Sequence, residues 1–530
     1  MKSLMKKVFA AAAAIATVFG LAATTVATAN AAGGNATLTV STKDAKFAGK
    51  TVNAYKMFSA TVSSDGGAVS HTLNDAWKPF FKNSVGLTDV TDANVNDKAN
   101  DYVSKLKDSA LTAFAAKASN WAQTKTNNIT ADATATVSKN AATDGKYTAT
   151  FTGLDYGYYV VAVPGATLAN AKSQYATLVS VHSTTVDADI KGDLPTVDKK
   201  VQVNGTGQNA TDAKIGDTLT FTLTSTIPDM SAYNTYTFNF KDTLSKGLTF
   251  GQVKSVKVEN VTLTENTDYT VTTPTASNNN TLTVAMKDFK TKQQANAGKK
   301  ITVTYTATLN ENAVVGGAGN VNSAKIQYSN NPSTNGTGES EPSKVRVFTY
   351  GFTVDKYTGD KYDNAATRLA GAEFTLAPKN GTAISFVQVT AGSATANAVY
   401  RVAKAGETGT TTITTPANGK VVFQGLENGE YTLTETEAPA GYNKLASAIG
   451  VKVNGQNDGT DTTNATVTIT YNNDNGSSYN QTASNGVIPV RNKSGVTLPG
   501  TGGMGTIAFT VIGVLVIALG VAWTLKRKNA

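Results

Sequence analysis

The chain has 530 residues, no cysteine, two histidines and a formal charge of +9. The lack of cysteine rules out thiol catalysis and a disulfide framework, and two separated histidines, His71 and His182, argue against a His-rich metal site. Much of the charge sits at the two ends, on Lys2, Lys6, Lys7, Lys526, Arg527 and Lys528, so the body is only mildly basic. No Lys/Arg cluster with interleaved aromatics points to nucleic acid.

The N-terminus reads Met1-Lys2-Ser3-Leu4-Met5-Lys6-Lys7, then an Ala-rich apolar run, then Ala29-Asn30-Ala31. That is the pattern of a secretory signal peptide over 1–31, with mature chain from about Ala32. Residues 32–195 read as a first β domain. Thr37 to Ser41 alternates as a strand does, and strand texture returns at 146–154 and 158–163. Between them, over 91–123, Val103, Leu106, Leu111, Phe114 and Ala115 fall at roughly helical spacing, which predicts a helical insertion.

Residues 196–348 read as a second β domain. The stretches 218–225, 236–240 and 301–308 are period-two runs of Thr, Val and aromatics, separated by turn clusters such as Asn278-Asn279-Asn280. Residues 349–495 have the same texture and make a third domain. The chain is therefore expected to be mainly β, a tandem of immunoglobulin-like β-sandwiches.

At the end come Leu498-Pro499-Gly500-Thr501-Gly502, an uncharged run from Ile507 to Leu525, and Lys526-Arg527-Lys528. Pro499 fixes its own φ and biases Leu498 toward an extended shape that can lie in a cleft. The uncharged run matches the roughly 20 residues of one membrane span, so a transmembrane helix is expected over 507–525. The basic tail would hold it on the cytoplasmic side.

Taken in this order, pentapeptide, apolar run and basic tail resemble the cell-wall sorting signal read by the sortases of Gram-positive bacteria, here over 498–530. The resemblance implies that a sortase cysteine attacks the carbonyl of Thr501 and passes it to an amine. A second resemblance lies in the third domain. Leu369 to Leu376, and above all Tyr431-Thr-Leu-Thr-Glu-Thr-Glu-Ala-Pro-Ala-Gly-Tyr442, look like the collagen-adhesin B-type repeat and the E box of major pilins. The whole architecture resembles a pilus backbone subunit. It implies a structural protein with no cofactor and no enzyme activity. The partners implied are sortase, further copies of the chain in a covalent linear polymer, minor pilins, peptidoglycan and a host-surface or glycan ligand. The alternative reading is a wall-anchored adhesin acting as a monomer. No Gly-x-Ser-x-Gly or His-Glu-x-x-His stretch supports an anchored hydrolase.

Domains of this resemblance carry an amide bond between a Lys and an Asn, promoted by a buried acid. Strand parity then selects residues, because i and i+2 share a face. Lys356 lies in line with Val354, Glu435 with Tyr431 and Leu433, and Asn492 with Ile488 and Val490. In the second domain Lys199 lies in line with Val197, Val201 and Val203, Asp242 with Phe238 and Phe240, and Asn322 with Ala324 and Ile326. Asn320 shares that last parity and competes. This second set resembles the A-type collagen-adhesin arrangement, in which Asp replaces Glu. Burial disfavours a charged amine, which can then act as the neutral nucleophile. A buried acid can hydrogen-bond the carboxamide and stabilise the developing oxyanion. No such bond is expected in the first domain.

A shaft subunit also needs an exposed lysine to accept Thr501 of the next copy. The Tyr-Pro-Lys-Asn motif of many backbone pilins is absent. If Lys199 faces inward, Lys200 faces outward on the same strand, and Thr196-Val-Asp-Lys-Lys200 resembles a variant of that motif. Lys200 is therefore the expected acceptor, with Lys191, in a more loop-like setting, as the alternative.

Overall fold

The computed structural model describes residues 35–495, apart from 64–67, 125, 128, 169–170, 172, 333–334, 363, 456–465 and 473–478, together with a helix at 504–528. Within 36–189 the strands make two sheets. In one, Ala36–Thr42 lies between Tyr147–Leu154 and Thr185–Asp189 and runs parallel to the latter. In the other, Val69–Leu73, Thr51–Val62, Gly157–Thr167 and Gln174–Val181 follow one another, with Ala133–Thr136 paired alongside Thr51–Val62. Three helices, Lys78–Asn83, Val95–Ser104 and Asp108–Gln123, fill the insertion. They bury Phe80, Phe81, Val103 and Phe114 in one cluster with Phe58, Tyr158 and Val160 of the sheet. The helical pattern read over 91–123 thus breaks at 105–107 and restarts at Asp108, whose φ is +47°. The break lets each helix set its own stripe on the sheet, Val95, Ala99 and Val103 for one, Phe114, Ala115, Ala118 and Ala122 for the other.

The strands of 198–348 make a six-stranded and a seven-stranded sheet. In the first, Asp198–Val203, Thr218–Thr226, Lys300–Leu309 and Leu248–Val258 lie side by side. In the second the central run is Ser343–Phe348, Asn320–Ser329, Phe238–Leu244 and Thr281–Met286. The Asn cluster that marks a turn does so by conformation. Asn279 and Asn280 both take left-handed φ, +55° and +54°, which Asn tolerates better than branched residues.

The strands of 350–491 make a five-stranded and a six-stranded sheet. Here the first strand, Tyr350–Tyr357, runs parallel to the last, Val487–Arg491, with Lys356 opposite Val490. Only Thr349 separates this unit from the strand Ser343–Phe348 before it, and its hydroxyl donates to the Leu426 carbonyl at 3.1 Å. The junction is further tied by Ile215 N–H to Gly425 O at 3.0 Å, and by Asn428, which donates to both oxygens of Asp212.

The C-terminal helix spans Met504–Lys528 and contains the run expected to cross a membrane. Its described side chains, among them Ile512, Leu515, Ile517, Leu519 and Trp523, are exposed. Among the described residues no helix is long and apolar enough to cross a membrane. Side chains at both ends of 507–525 lie outside the described set, and so do the expected signal peptide and the pentapeptide 498–502.

Two buried lysine, acid and asparagine sets

Alternation places one polar side chain per strand in line with apolar neighbours, and twice the fold brings three of them to one point. In the third unit Lys356, Glu435 and Asn492 are all buried. Lys356 comes from the first strand, and Asn492 directly follows the last strand, which lies parallel beside it in the same sheet. Glu435 reaches across from the facing sheet, on Gly429–Glu437. Its Oε1 lies 2.9 Å from Lys356 Nζ, close in distance but off the direction of a hydrogen bond. Its Oε2 accepts from Asn492 Nδ2 at 3.1 Å and from the Leu445 N–H at 2.7 Å. Asn492 Nδ2 also donates to the Asn443 carbonyl at 2.8 Å.

In the second unit Lys199, Asp242 and Asn322 are fully buried. Lys199 sits on Asp198–Val203 of one sheet, and Asp242 and Asn322 sit on Phe238–Leu244 and Asn320–Ser329 of the other. Lys199 Nζ is paired with Asp242 Oδ2 and donates to the Tyr305 hydroxyl at 2.9 Å. Tyr305 donates to Asp242 Oδ2 at 2.6 Å and accepts from Asn322 Nδ2 at 2.6 Å. Asn320, the competitor for Asn322, is also buried but is consumed by the backbone. Its Oδ1 accepts from the Val314 N–H, and its Nδ2 donates to the carbonyls of Val314 and Val347.

Desolvation lowers the pKa of both amines to about 8, against the opposing pull of Asp242 on Lys199 and of Glu435 on Lys356. Each ammonium also lies near aromatic faces, Lys199 5.1 Å from the ring centres of Phe221 and Tyr305, Lys356 5.6 Å from Phe374. The carbonyl oxygens of Asn322 and Asn492 are buried and have no hydrogen-bond partner among the described residues. Which end of a carboxamide is oxygen is set by its hydrogen bonds. Turned over, the Asn492 carbonyl faces Glu435, whose protonated form can donate to it, and the Asn322 carbonyl faces the Tyr305 hydroxyl. The arrangement thus places an easily neutralised amine beside an amide that an acid can polarise, in a site closed to water. Unreacted, each orphaned buried group costs about 1–3 kcal/mol, which bond formation can relieve. Among the described residues of the first unit no lysine is buried.

Tyr305 was not singled out by the sequence reading. It lies on Lys300–Leu309 in line with Ile301, Val303, Ala307 and Leu309, where it reads as one more core aromatic. Its signal was the hydroxyl, which a fully buried tyrosine must satisfy.

The two lysines offered as acceptors differ in setting. The side chain of Lys200 is 31% exposed, and it donates to Asn209 Oδ1 at 2.6 Å and lies 3.3 Å from Asp198. It therefore stands in its own half-exposed Lys, Asn and Asp group, without the desolvation of the buried sets. Lys191 is exposed, outside any strand, and among the described residues no side-chain bond engages its amine. Its loop is braced below: the Tyr175 hydroxyl donates to the Asp189 carbonyl at 2.9 Å and accepts from the Lys191 N–H at 3.0 Å. Gly192 lies flat on that ring, where an added Cβ would come 2.5 Å from Tyr175 Cγ. Asp193 next to it pairs with Lys46 at 2.6 Å.

His71 is buried against Phe58 and Tyr158, and burial lowers its pKa to about 4, so it is a packed neutral imidazole.

Three family models match separate stretches: a Gram-positive pilin backbone subunit 2, Cna-B-like domain over 215–332, a SpaA prealbumin-like fold domain over 355–469, and an LPXTG cell wall anchor motif over 491–530. The middle unit, expected to be A-type, is thus matched by a model described as Cna-B-like. The trypsin-resistant surface T6 protein of Streptococcus pyogenes serotype M6 is 26% identical over 278 residues, 48% of this chain. The chain spans 44% of that relative's length. Among solved structures, the T6 backbone pilin of S. pyogenes M6 aligns over 87% of this chain and 99% of its own, at 16% identity and a TM-score of 0.46. The full-length major pilin SpaD of Corynebacterium diphtheriae aligns over 88% and 98%, at 19% identity and a TM-score of 0.41. With backbone-pilin, prealbumin-like and anchor models matched one after another, the chain is similar to Gram-positive pilin backbone proteins that carry an LPXTG cell wall anchor.

Proposed function

We propose that the chain is the shaft subunit of a covalent, wall-anchored pilus. The observation that carries this reading is the anchor match at 491–530 on the same chain as the pilin backbone match at 215–332. In this reading 1–31 directs secretion, and three β domains at 32–195, 196–348 and 349–495 form the rod. The apolar run before Lys526 holds the chain at the membrane until sortase cuts after Thr501. Sortase then passes Thr501 to a lysine of the next copy, and at the base to peptidoglycan. Minor pilins and a host-surface or glycan ligand would complete the fibre.

Two internal amide bonds, Lys199 to Asn322 and Lys356 to Asn492, stiffen the rod, promoted by Asp242 and Glu435. The first staples one sheet to the other. The second links the first strand to the last, so that tension entering at one end of the domain leaves at the other through covalent bonds. Of the two acceptor lysines, exposure and an unengaged amine favour Lys191. Lys200 faces solvent as parity expects, but it is held by Asn209 and Asp198. Joining Thr501 to either stacks copies head to tail in an open linear fibre.

The test is an anti-subunit blot of wall extracts from cells carrying Lys191→Ala or Lys200→Ala. A boiling-resistant ladder in wild type, lost in Lys191→Ala and kept in Lys200→Ala, supports the reading with Lys191 as acceptor. The reverse pattern selects Lys200. A single band near monomer mass in wild type contradicts a shaft and supports a monomeric adhesin.

A further inference from the structure

We infer that Tyr305 is a catalytic residue of the Lys199 to Asn322 bond, relaying the proton from the attacking nitrogen to the leaving one. This rests on the proposed internal bond in the second unit. One phenol oxygen lies within hydrogen-bond distance of both reacting nitrogens, 2.9 Å from Lys199 Nζ and 2.6 Å from Asn322 Nδ2. It also contacts the acid, 2.6 Å from Asp242 Oδ2. Asp242 itself makes no hydrogen bond to Asn322 among the described residues, so only the phenol links the acid and the amine to the leaving group.

The third unit shows why a relay is needed. There Glu435 touches Lys356 with one oxygen and Asn492 Nδ2 with the other, and among the described residues no phenol hydrogen-bonds any of the three. Glutamate is one methylene longer than aspartate. Where the shorter acid reaches the amine but not the leaving nitrogen, the Tyr305 hydroxyl spans the gap.

The Lys199 ammonium first gives a proton to Asp242, leaving a neutral amine. That nitrogen bonds to the side-chain carbonyl carbon of Asn322, and the carbonyl oxygen takes up the developing negative charge. The attacking nitrogen passes a proton to the Tyr305 oxygen while Tyr305 gives its own to Nδ2. The bond from carbon to Nδ2 then breaks and ammonia leaves. Tyr305 ends as it began, and an amide replaces an amine and a carboxamide.

The test follows the appearance of linked peptides by tandem mass spectrometry after a pulse of synthesis, using the full chain from a sortase-deficient host. A positioned proton donor and acceptor contributes about 10²–10⁴-fold to a rate. Tyr305→Phe keeps the ring stacked on Phe221, 5.3 Å between centres, and removes only the hydroxyl. The Lys199 to Asn322 link should form roughly a hundredfold more slowly in this variant, while the Lys356 to Asn492 link keeps its wild-type rate. Sampled before its link forms, the variant should melt with Asn322→Ala, which lacks the same bond but keeps Lys199 and Asp242 paired. A wild-type rate of the Lys199 link in Tyr305→Phe overturns the relay, as does a variant melting well below Asn322→Ala, because the hydroxyl would then be structural. Wild type and Asp242→Ala separate the two levels. A linked wild type and unlinked Asp242→Ala leave the underlying bond standing whatever Tyr305→Phe does, whereas an unlinked wild type removes the bond and the relay with it.

Discussion

Replacing Asn492 by Ala removes the electrophile of the third-unit bond while leaving Lys356 and Glu435 paired. The cross-link closes a loop of roughly 140 residues, and the chain-entropy relation values such a link at about 5 kcal/mol through the unfolded state. For a domain of this size 1 kcal/mol moves the midpoint by about 3 °C, so the third-unit transition should fall by about 15 °C. Glu435→Ala is a poorer probe, because it strands a buried ammonium and adds about 3–5 kcal/mol unrelated to the bond. The assay is differential scanning calorimetry of the soluble region, paired with intact mass. Wild type should weigh about 17 Da less than its sequence for each bond, one ammonia each. Asn492→Ala should regain one such difference. A wild-type mass equal to the unmodified sequence, or a variant whose transition moves by only 1–3 °C, refutes the reasoning.

Two further outcomes follow from the packing. Acid should weaken the first unit. Folded His71 titrates near 4 and unfolded His near 6.5, so between these values only the unfolded chain takes up the proton, and stability falls as pH drops through that window. His71→Phe should remove this sensitivity, read as melting temperature against pH. Gly455→Ala should destabilise the third unit by about 1–3 kcal/mol through overpacking. An added Cβ there would come 2.0 Å from Tyr350 Cζ, and a chemical-denaturation midpoint unchanged by the substitution would deny that close approach.

The strands and the polar triads were legible because a two-residue period is written directly in the sequence. Lys199 beside Val197 and Val201, or Glu435 beside Leu433, needs no partner to reveal which face it shares. What parity cannot supply is which strands face each other, so Tyr305 stayed hidden until its sheet was laid across from Asp242 and Asn322. The setting of Lys200 was hidden for a similar reason. Asn209 reaches it only because the short hairpin of Asp198–Val203 and Thr206–Gln208 folds back on itself. The break at 105–107 was illegible because both helices keep a helical spacing of their own, and only packing on the sheet sets one apart from the other. Likewise Asp212 ends the short strand Ala210–Asp212 and Asn428 lies in a bend, and nothing local marks them as joined across two units.

The account's central claim is that copies of this chain are joined through Thr501. Tandem mass spectrometry of proteolysed high-mass material from a wall extract tests it most directly. The account predicts a branched peptide in which the Thr501 carboxyl is joined to the side-chain amine of Lys191 of a second copy. Thr501 found only on peptidoglycan, with no lysine of the chain joined to it, would contradict it.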